Sequence, residues 1–119
     1  MFINLTNHSS KNWSSKQKRV AERYGEIIDI PFPNIDPFAT GEDIDAIVAK
    51  YLQQVMKYDN PVVMVQGEFV FTFRLVESLK KKGCKAVAAC NERNVIETTD
   101  ENGNCVKRSV FEFVQFREY

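Results

Sequence analysis

The run Val62-Val63-Met64-Val65-Gln66-Gly67-Glu68-Phe69-Val70-Phe71-Thr72 decides how this chain folds. Its first four residues are all apolar, as in a strand buried on both faces of a parallel sheet. Gln66-Gly67-Glu68 interrupts the run, and the segment then continues to Lys80-Lys81-Lys82-Gly83. Cations complement the negative end of a helix dipole, and glycine accepts the left-handed conformation that closes a helix. The stretch therefore reads as strand, tight turn and helix. A rival reading makes Gly67-Glu68 a hairpin turn and Phe69 to Phe73, rich in β-formers, a second strand. Length favours the helix. Strands average about 5–6 residues, whereas Leu75, Glu77, Leu79 and Lys80 prolong the segment with helix formers.

Upstream, Phe2 to Thr6 reads as a first buried strand and Asn7 to Ser14 as a polar loop. Ser14 with Gln17 has the spacing of a capping box, and Val20, Ala21 and Tyr24 give the helix that follows an apolar face before Gly25 ends it. Glu26 to Ile30 is a second strand. Pro31, Pro33 and Pro37 then hold a rigid loop without regular structure. Thr40 and Asp43 cap a helix whose apolar face is Ile44, Ile47, Val48, Tyr51, Leu52, Val55 and Met56. Asn60-Pro61 closes it. Downstream, Lys85 to Cys90 is a fourth strand, and Val95–Thr99 and Cys105–Phe116 flank an Asn102-Gly103 turn as a hairpin. Simple alternation puts Val110, Val114 and Phe116 on one face of that last strand, with Phe111 and Phe113 on the other. The order predicts one α/β domain spanning residues 1–119: a Rossmann-like, three-layer β-α-β-α-β-α-β fold with a mainly parallel sheet and a C-terminal antiparallel hairpin.

Composition narrows the function. Sixteen basic and sixteen acidic residues balance, which argues against a protein that coats long nucleic acid. Three cysteines without a CxxC pair support neither a disulfide framework nor a zinc site. No apolar run approaches the ~20 residues of a membrane span, and Phe2 to Leu5 is too short for a signal peptide. A reduced, cytoplasmic setting is expected.

Candidate chemistry gathers at loops that follow strands and precede helices, where open α/β sheets hold ligands. His8, the only histidine, stands among Asn7, Ser9, Ser10 and Lys11, a set suited to phosphate binding and proton transfer near neutrality. The plain alternative is a turn made by Ser and Asn with a surface imidazole. Gln66-Gly67-Glu68 lacks any Walker or dinucleotide fingerprint, so no cofactor is implied and a simple turn is its alternative. Glu68 would repel a phosphate on its own helix amides, which suits it better to a ribose hydroxyl, an adenine edge or a proton. Asn91 and Arg93 follow the fourth strand; Arg93 either clamps a phosphate or pairs with Glu92 or Glu97. Trp13 either stacks on a base or packs across a helix.

Taken together, Asn7-His8-Ser9-Ser10, Val65-Gln66-Gly67-Glu68 with Thr72, Cys90-Asn91-Glu92-Arg93 and the terminal Phe113-Val114-Gln115-Phe116-Arg117-Glu118-Tyr119 resemble the small stand-alone CARF (CRISPR-associated Rossmann fold) proteins of type III CRISPR systems. The resemblance extends to their ring nucleases. It implies binding and metal-independent linearisation of a cyclic oligoadenylate, with cyclic tetra-adenylate the expected ring. A homodimer is expected because the terminal strand carries Val110, Phe111, Phe113, Val114 and Phe116 on both faces and such a ring has approximate two-fold symmetry. On that resemblance His8, Glu68 and Lys11 are the catalytic candidates. Asn7, Ser9, Ser10, Trp13, Gln66, Gly67, Thr72, Asn91 and Arg93 are the ligand-binding ones. A binding module that senses or sequesters the nucleotide without cutting it would use the same rim.

Overall fold

The computed structural model describes residues 1–119, ordered as β1 (Phe2–Thr6), α1 (Ser15–Glu22), β2 (Ile27–Asp29), α2 (Gly41–Val55), β3 (Val62–Gln66), α3 (Phe69–Lys81), β4 (Lys85–Thr99) and β5 (Cys105–Glu118). The protein is mixed α/β. Five strands form one sheet in the order β2-β1-β3-β4-β5, parallel except for the antiparallel β4–β5 pair.

The central stretch folds as strand, turn and helix. Phe71, Leu75, Val76 and Leu79 recur at helical spacing and are buried, while Lys80 and Lys81 occupy the last turn of α3 and Gly83 follows at φ 77°. Thr40 and Asp43 form the full capping box of α2, each side chain accepting from the other residue's backbone N–H. At α1 only half of that device is present: Ser14 Oγ accepts from Gln17 N.

Alternation along the strands divides the core. Ile3, Leu5, Val63 and Val65 face α2 and α3, joined by Ile44, Val48, Val55, Phe71, Leu75 and Leu79. Phe2, Val62, Met64 and Val87 face the other way, toward Ala21 of α1, Trp13 and Phe116. A helix of eight residues covers only part of that second face. The uncovered part lies at the C-terminal ends of β1 and β3.

The C-terminal third departs from expectation. Cys90 to Arg93 does not end a strand: β4 runs unbroken from Lys85 to Thr99 and pairs with β5 as far as Thr99 opposite Cys105. Nothing between Cys90 and Thr99 is a glycine or proline, so nothing stops the strand while its partner continues. A bulge also resets the alternation. Cys90 faces Gln115 and Asn91 faces Phe113, leaving Val114 without an opposite number. Phe116 therefore joins Phe113 on one face, their rings 4.8 Å apart, rather than sharing a face with Val110. Tyr119 fastens the end of β5 by donating from its hydroxyl to Val65 O at 2.6 Å, and burial raises its pKa.

Candidate functional site

β1 lies between β2 and β3, so the strand order reverses there, the place where ligands settle in open α/β sheets. Thr6 and Gln66, the last residues of β1 and β3, are paired across the ladder. The loop after β1 and the turn after β3 consequently share a rim. A cavity of about 800 Å³ opens there on the α1 face of the sheet. That volume is within the ~300–1,000 Å³ typical of small-molecule sites.

His8 lines the cavity with Asn7, Trp13, Gln66, Gly67 and Asn91. The remaining walls include Asn12, Lys16 and Gln17 from the first loop and α1, and Phe111, Glu112 and Phe113 from β5. Carboxamides dominate the polar lining, which suits reading the edge of a base. Trp13, Phe111 and Phe113 supply aromatic surface. Phe111 is 66% exposed and so has a free ring face, whereas Phe113 is buried. Trp13 is half-buried and packs edge-on against Phe2, ring centroids 6.0 Å apart, so it is a wall fixed to the core rather than a mobile clamp.

The first loop is held from below by a polar network inside an otherwise apolar strand. Asn4 is buried, and its Nδ2 donates to His8 O and to Asp29 Oδ1, both at 2.8 Å. Thr6 Oγ1 donates to Asn4 Oδ1 and accepts from His8 N. Asp29 at the end of β2 also accepts from Ser10 N, Ser10 Oγ and Ser9 Oγ. Its partial burial alone would raise its pKa, but the hydrogen bonds from Asn4, Ser10 and Ser9 outweigh that and hold the carboxyl below the usual carboxylate range. The backbone of His8 is thereby fixed while its side chain remains exposed.

Several expected site residues are engaged elsewhere. Ser9 and Ser10 present their hydroxyls to Asp29. Lys11 is exposed and does not line the cavity; Lys16, in the first turn of α1, is its cation. Glu68 caps its own helix, Oε1 accepting from Val70 N at 3.0 Å and Oε2 from Phe71 N at 2.7 Å, so these amides at the start of α3 are occupied by a carboxylate. Thr72 Oγ1 is buried without a partner and lies outside the lining. Arg93 donates to Ser109 Oγ across the hairpin. Gln66 does double duty: it lines the cavity while its Oε1 accepts from Ala89 N at 2.8 Å, extending the β3–β4 ladder past its last backbone pair at Met64–Val87. No group of three His, Cys, Asp or Glu side chains gathers as a metal-ligand set.

Asp29→Asn tests the network. The folded pKa lies below the unfolded one, so the carboxylate's contribution is complete above about pH 4 and is lost as pH falls through the folded value. At pH 7 the variant should lose about 1 kcal/mol, under the ~1.5–3 typical of charged hydrogen bonds because Asp29 is solvent-exposed. The gap between the two proteins, read from urea midpoints, should close under strong acid.

Fold and cavity define a mixed α/β domain with a cavity of small-molecule size at the C-terminal rim of its parallel strands. Residues 1–117 match the family described as "Uncharacterized protein MJ1673 family", and the chain belongs to it. No curated protein and no solved structure matches the chain. No helix is long and apolar enough to cross a membrane.

Proposed function

We propose that this protein captures a cyclic oligoadenylate, cyclic tetra-adenylate being the ring of choice, and opens it without a metal, which would attenuate type III CRISPR signalling. The domain is read as a Rossmann-like fold acting as a homodimer. The observation that supports this best is the meeting of His8, five carboxamide side chains and an exposed aromatic face in one cavity where the strand order reverses. Adenine offers donor and acceptor edges to carboxamides and a π-face to Phe111.

The chemistry needs little from the protein. Each ribose 2′-OH attacks the adjacent phosphorus, the bond from phosphorus to the 5′-oxygen breaks, and the products are a 2′,3′-cyclic phosphate and a 5′-hydroxyl. One proton leaves the 2′-OH and one reaches the 5′-oxygen. His8 is the cavity's imidazole for either transfer. Lys16 is the cation available to offset phosphate charge, and the neighbouring amides orient the base.

A second reading, capture without cleavage, has its own support. With Ser9 and Ser10 bound to Asp29 and Glu68 capping α3, His8 and Lys16 are left almost alone for chemistry. Thermal shift against cyclic tri-, tetra- and hexa-adenylate, followed by single-turnover product analysis in EDTA, separates the outcomes. Stabilisation with cleavage supports ring opening, and stabilisation alone supports sequestration. No shift with any ring sinks both, and cleavage that requires a divalent ion refutes the metal-free route.

A further inference from the structure

Beyond the body of the domain, β4 and β5 run on as a two-stranded arm. β3 pairs with β4 only at Lys85–Val87, yet β4 and β5 stay paired to Thr99 and Cys105. The chain is accordingly elongated, 55 × 38 × 21 Å with a radius of gyration of 17.3 Å. A compact chain of this length would have about 13–14 Å. An isolated two-stranded ribbon is marginal in water. This one also exposes Val95, Ile96, Val106 and Phe111. The outer edge of β5, last in the sheet, has no neighbour anywhere along its length and carries no proline to discourage one.

Charges on the arm are unbalanced in an informative way. Glu92 and Glu112 stand directly opposite each other across β4 and β5, a like-charge pair with no cation within salt-bridge distance. Arg108, on the same face of β5 and opposite Ile96, has no carboxylate partner. The arm holds an unpaired cation four positions from an unrelieved acidic pair.

We propose that β5 pairs antiparallel with β5 of a second copy about a two-fold axis at Val110, setting each Arg108 against the other copy's Glu112. Symmetry restricts the choice. Antiparallel neighbours related by a two-fold have it perpendicular to the sheet, so residues placed opposite each other come from the same face. Short of the Val114 bulge, the axis must therefore pass through a residue. At Arg108 or Glu112 it opposes like charges. At Ser109 or Phe111 it pairs no opposite charges. At Val110 it brings Arg108 to Glu112 twice and Val106 to Val114 twice, and it lays Phe111 beside the second copy's Ser109. The second copy therefore covers the exposed edge and relieves the Glu92–Glu112 repulsion.

The perpendicular axis also leaves both cavities on one face of a continuous sheet. Phe111 and Phe113 line the cavity, and the second copy's Lys107 comes opposite Phe113. That lysine is held at home only by an exposed pair with Glu97 at 3.5 Å. Each pocket thus gains a cation in trans for a phosphate, a consequence that rests on the nucleotide reading, whereas the interface itself does not.

Sedimentation velocity at micromolar concentration, without nucleotide, tests the interface. Wild type should be dimeric. Arg108→Glu should weaken the dimer roughly 10- to 100-fold, because two attractive cross-strand pairs become repulsive. Arg108→Glu combined with Glu112→Arg should restore it. Circular dichroism checks that each variant is folded, as substitutions at exposed positions should leave it. A monomeric wild type, a dimer indifferent to Arg108→Glu, or a double variant that stays monomeric overturns the proposal. A dimer that obeys the charge swap, with a wild type that no oligoadenylate stabilises, would leave the interface standing and refute the nucleotide reading instead.

Discussion

Gly67→Val is expected to unsettle the fold around the Pro31–Pro37 loop and to do comparatively little inside the cavity. A Cβ on Gly67 would sit 2.3–2.6 Å from the ring carbons of Phe32, closer than any real contact. Phe32 belongs to the α2–α3 side of the sheet, where its ring meets Phe71 edge-on at 5.2 Å, and Phe71 is fully buried. The added side chain therefore aims away from the pocket and into an aromatic stack. Gly67 as a ligand-binding residue would predict the opposite result, because a glycine there would be kept small to let a ligand approach the backbone. Overpacking of this kind typically costs about 1–3 kcal/mol. At roughly 4 °C per kcal/mol for a domain of this size, Tm should fall by about 4–12 °C. A double-mutant cycle identifies the cause: Phe32→Ala costs stability by itself, but combined with Gly67→Val it should cost less than the sum of the two. Strict additivity, with nucleotide binding lost and stability intact, would return Gly67 to the ligand.

Where local chemistry acts alone, the fold is legible in the residues. Val62 to Lys81, the Thr40–Asp43 cap and the closing Gly83 each form what their spacing dictates, and the parallel β-α order follows from them. The hairpin was harder to read because strand length depends on a partner. Cys90 to Arg93 looks like polar strand-end chemistry, but β5 opposite keeps it in register. The bulge at Val114 leaves no mark in composition, and it alone decides which face Phe116 joins.

At the cavity the divide is similar. Asn7, His8, Gln66 and Gly67 fall at strand ends or just beyond, and the sheet brings them together with Asn91, which lies inside β4 beside the bulge. Asp29, which occupies the hydroxyls of Ser9 and Ser10, is remote in sequence and carries no motif. The one available sign was Asn4 and Thr6: two polar residues on one face of a buried strand need partners, and those partners build the loop. Lys16 and Phe111 were invisible because they reach the cavity only through the docking of α1 and the turn of the arm.

If the protein opens the ring as proposed, His8→Ala should reduce cleavage by about 10²- to 10⁴-fold, the usual contribution of a positioned acid or base, while nucleotide affinity changes far less. Three features of the site favour that separation. The backbone of His8, not its ring, carries the hydrogen bonds from Asn4 and Thr6 that shape the loop, so truncation leaves the loop anchored. The imidazole is exposed within the cavity, free to meet a phosphodiester. The groups proposed to read the base, Gln66, Asn91 and Phe111, lie on other elements and remain. His8→Gln serves as the control, since it retains hydrogen bonding but cannot exchange a proton near neutrality. A general acid–base role predicts that both variants fail in single-turnover cleavage and that both still stabilise with cyclic tetra-adenylate. If His8→Gln cuts like wild type, the ring acts only as a hydrogen-bond donor. If both variants cut like wild type, His8 takes no part in the chemistry. If both lose binding and cleavage together, His8 is a binding residue and the catalytic assignment fails.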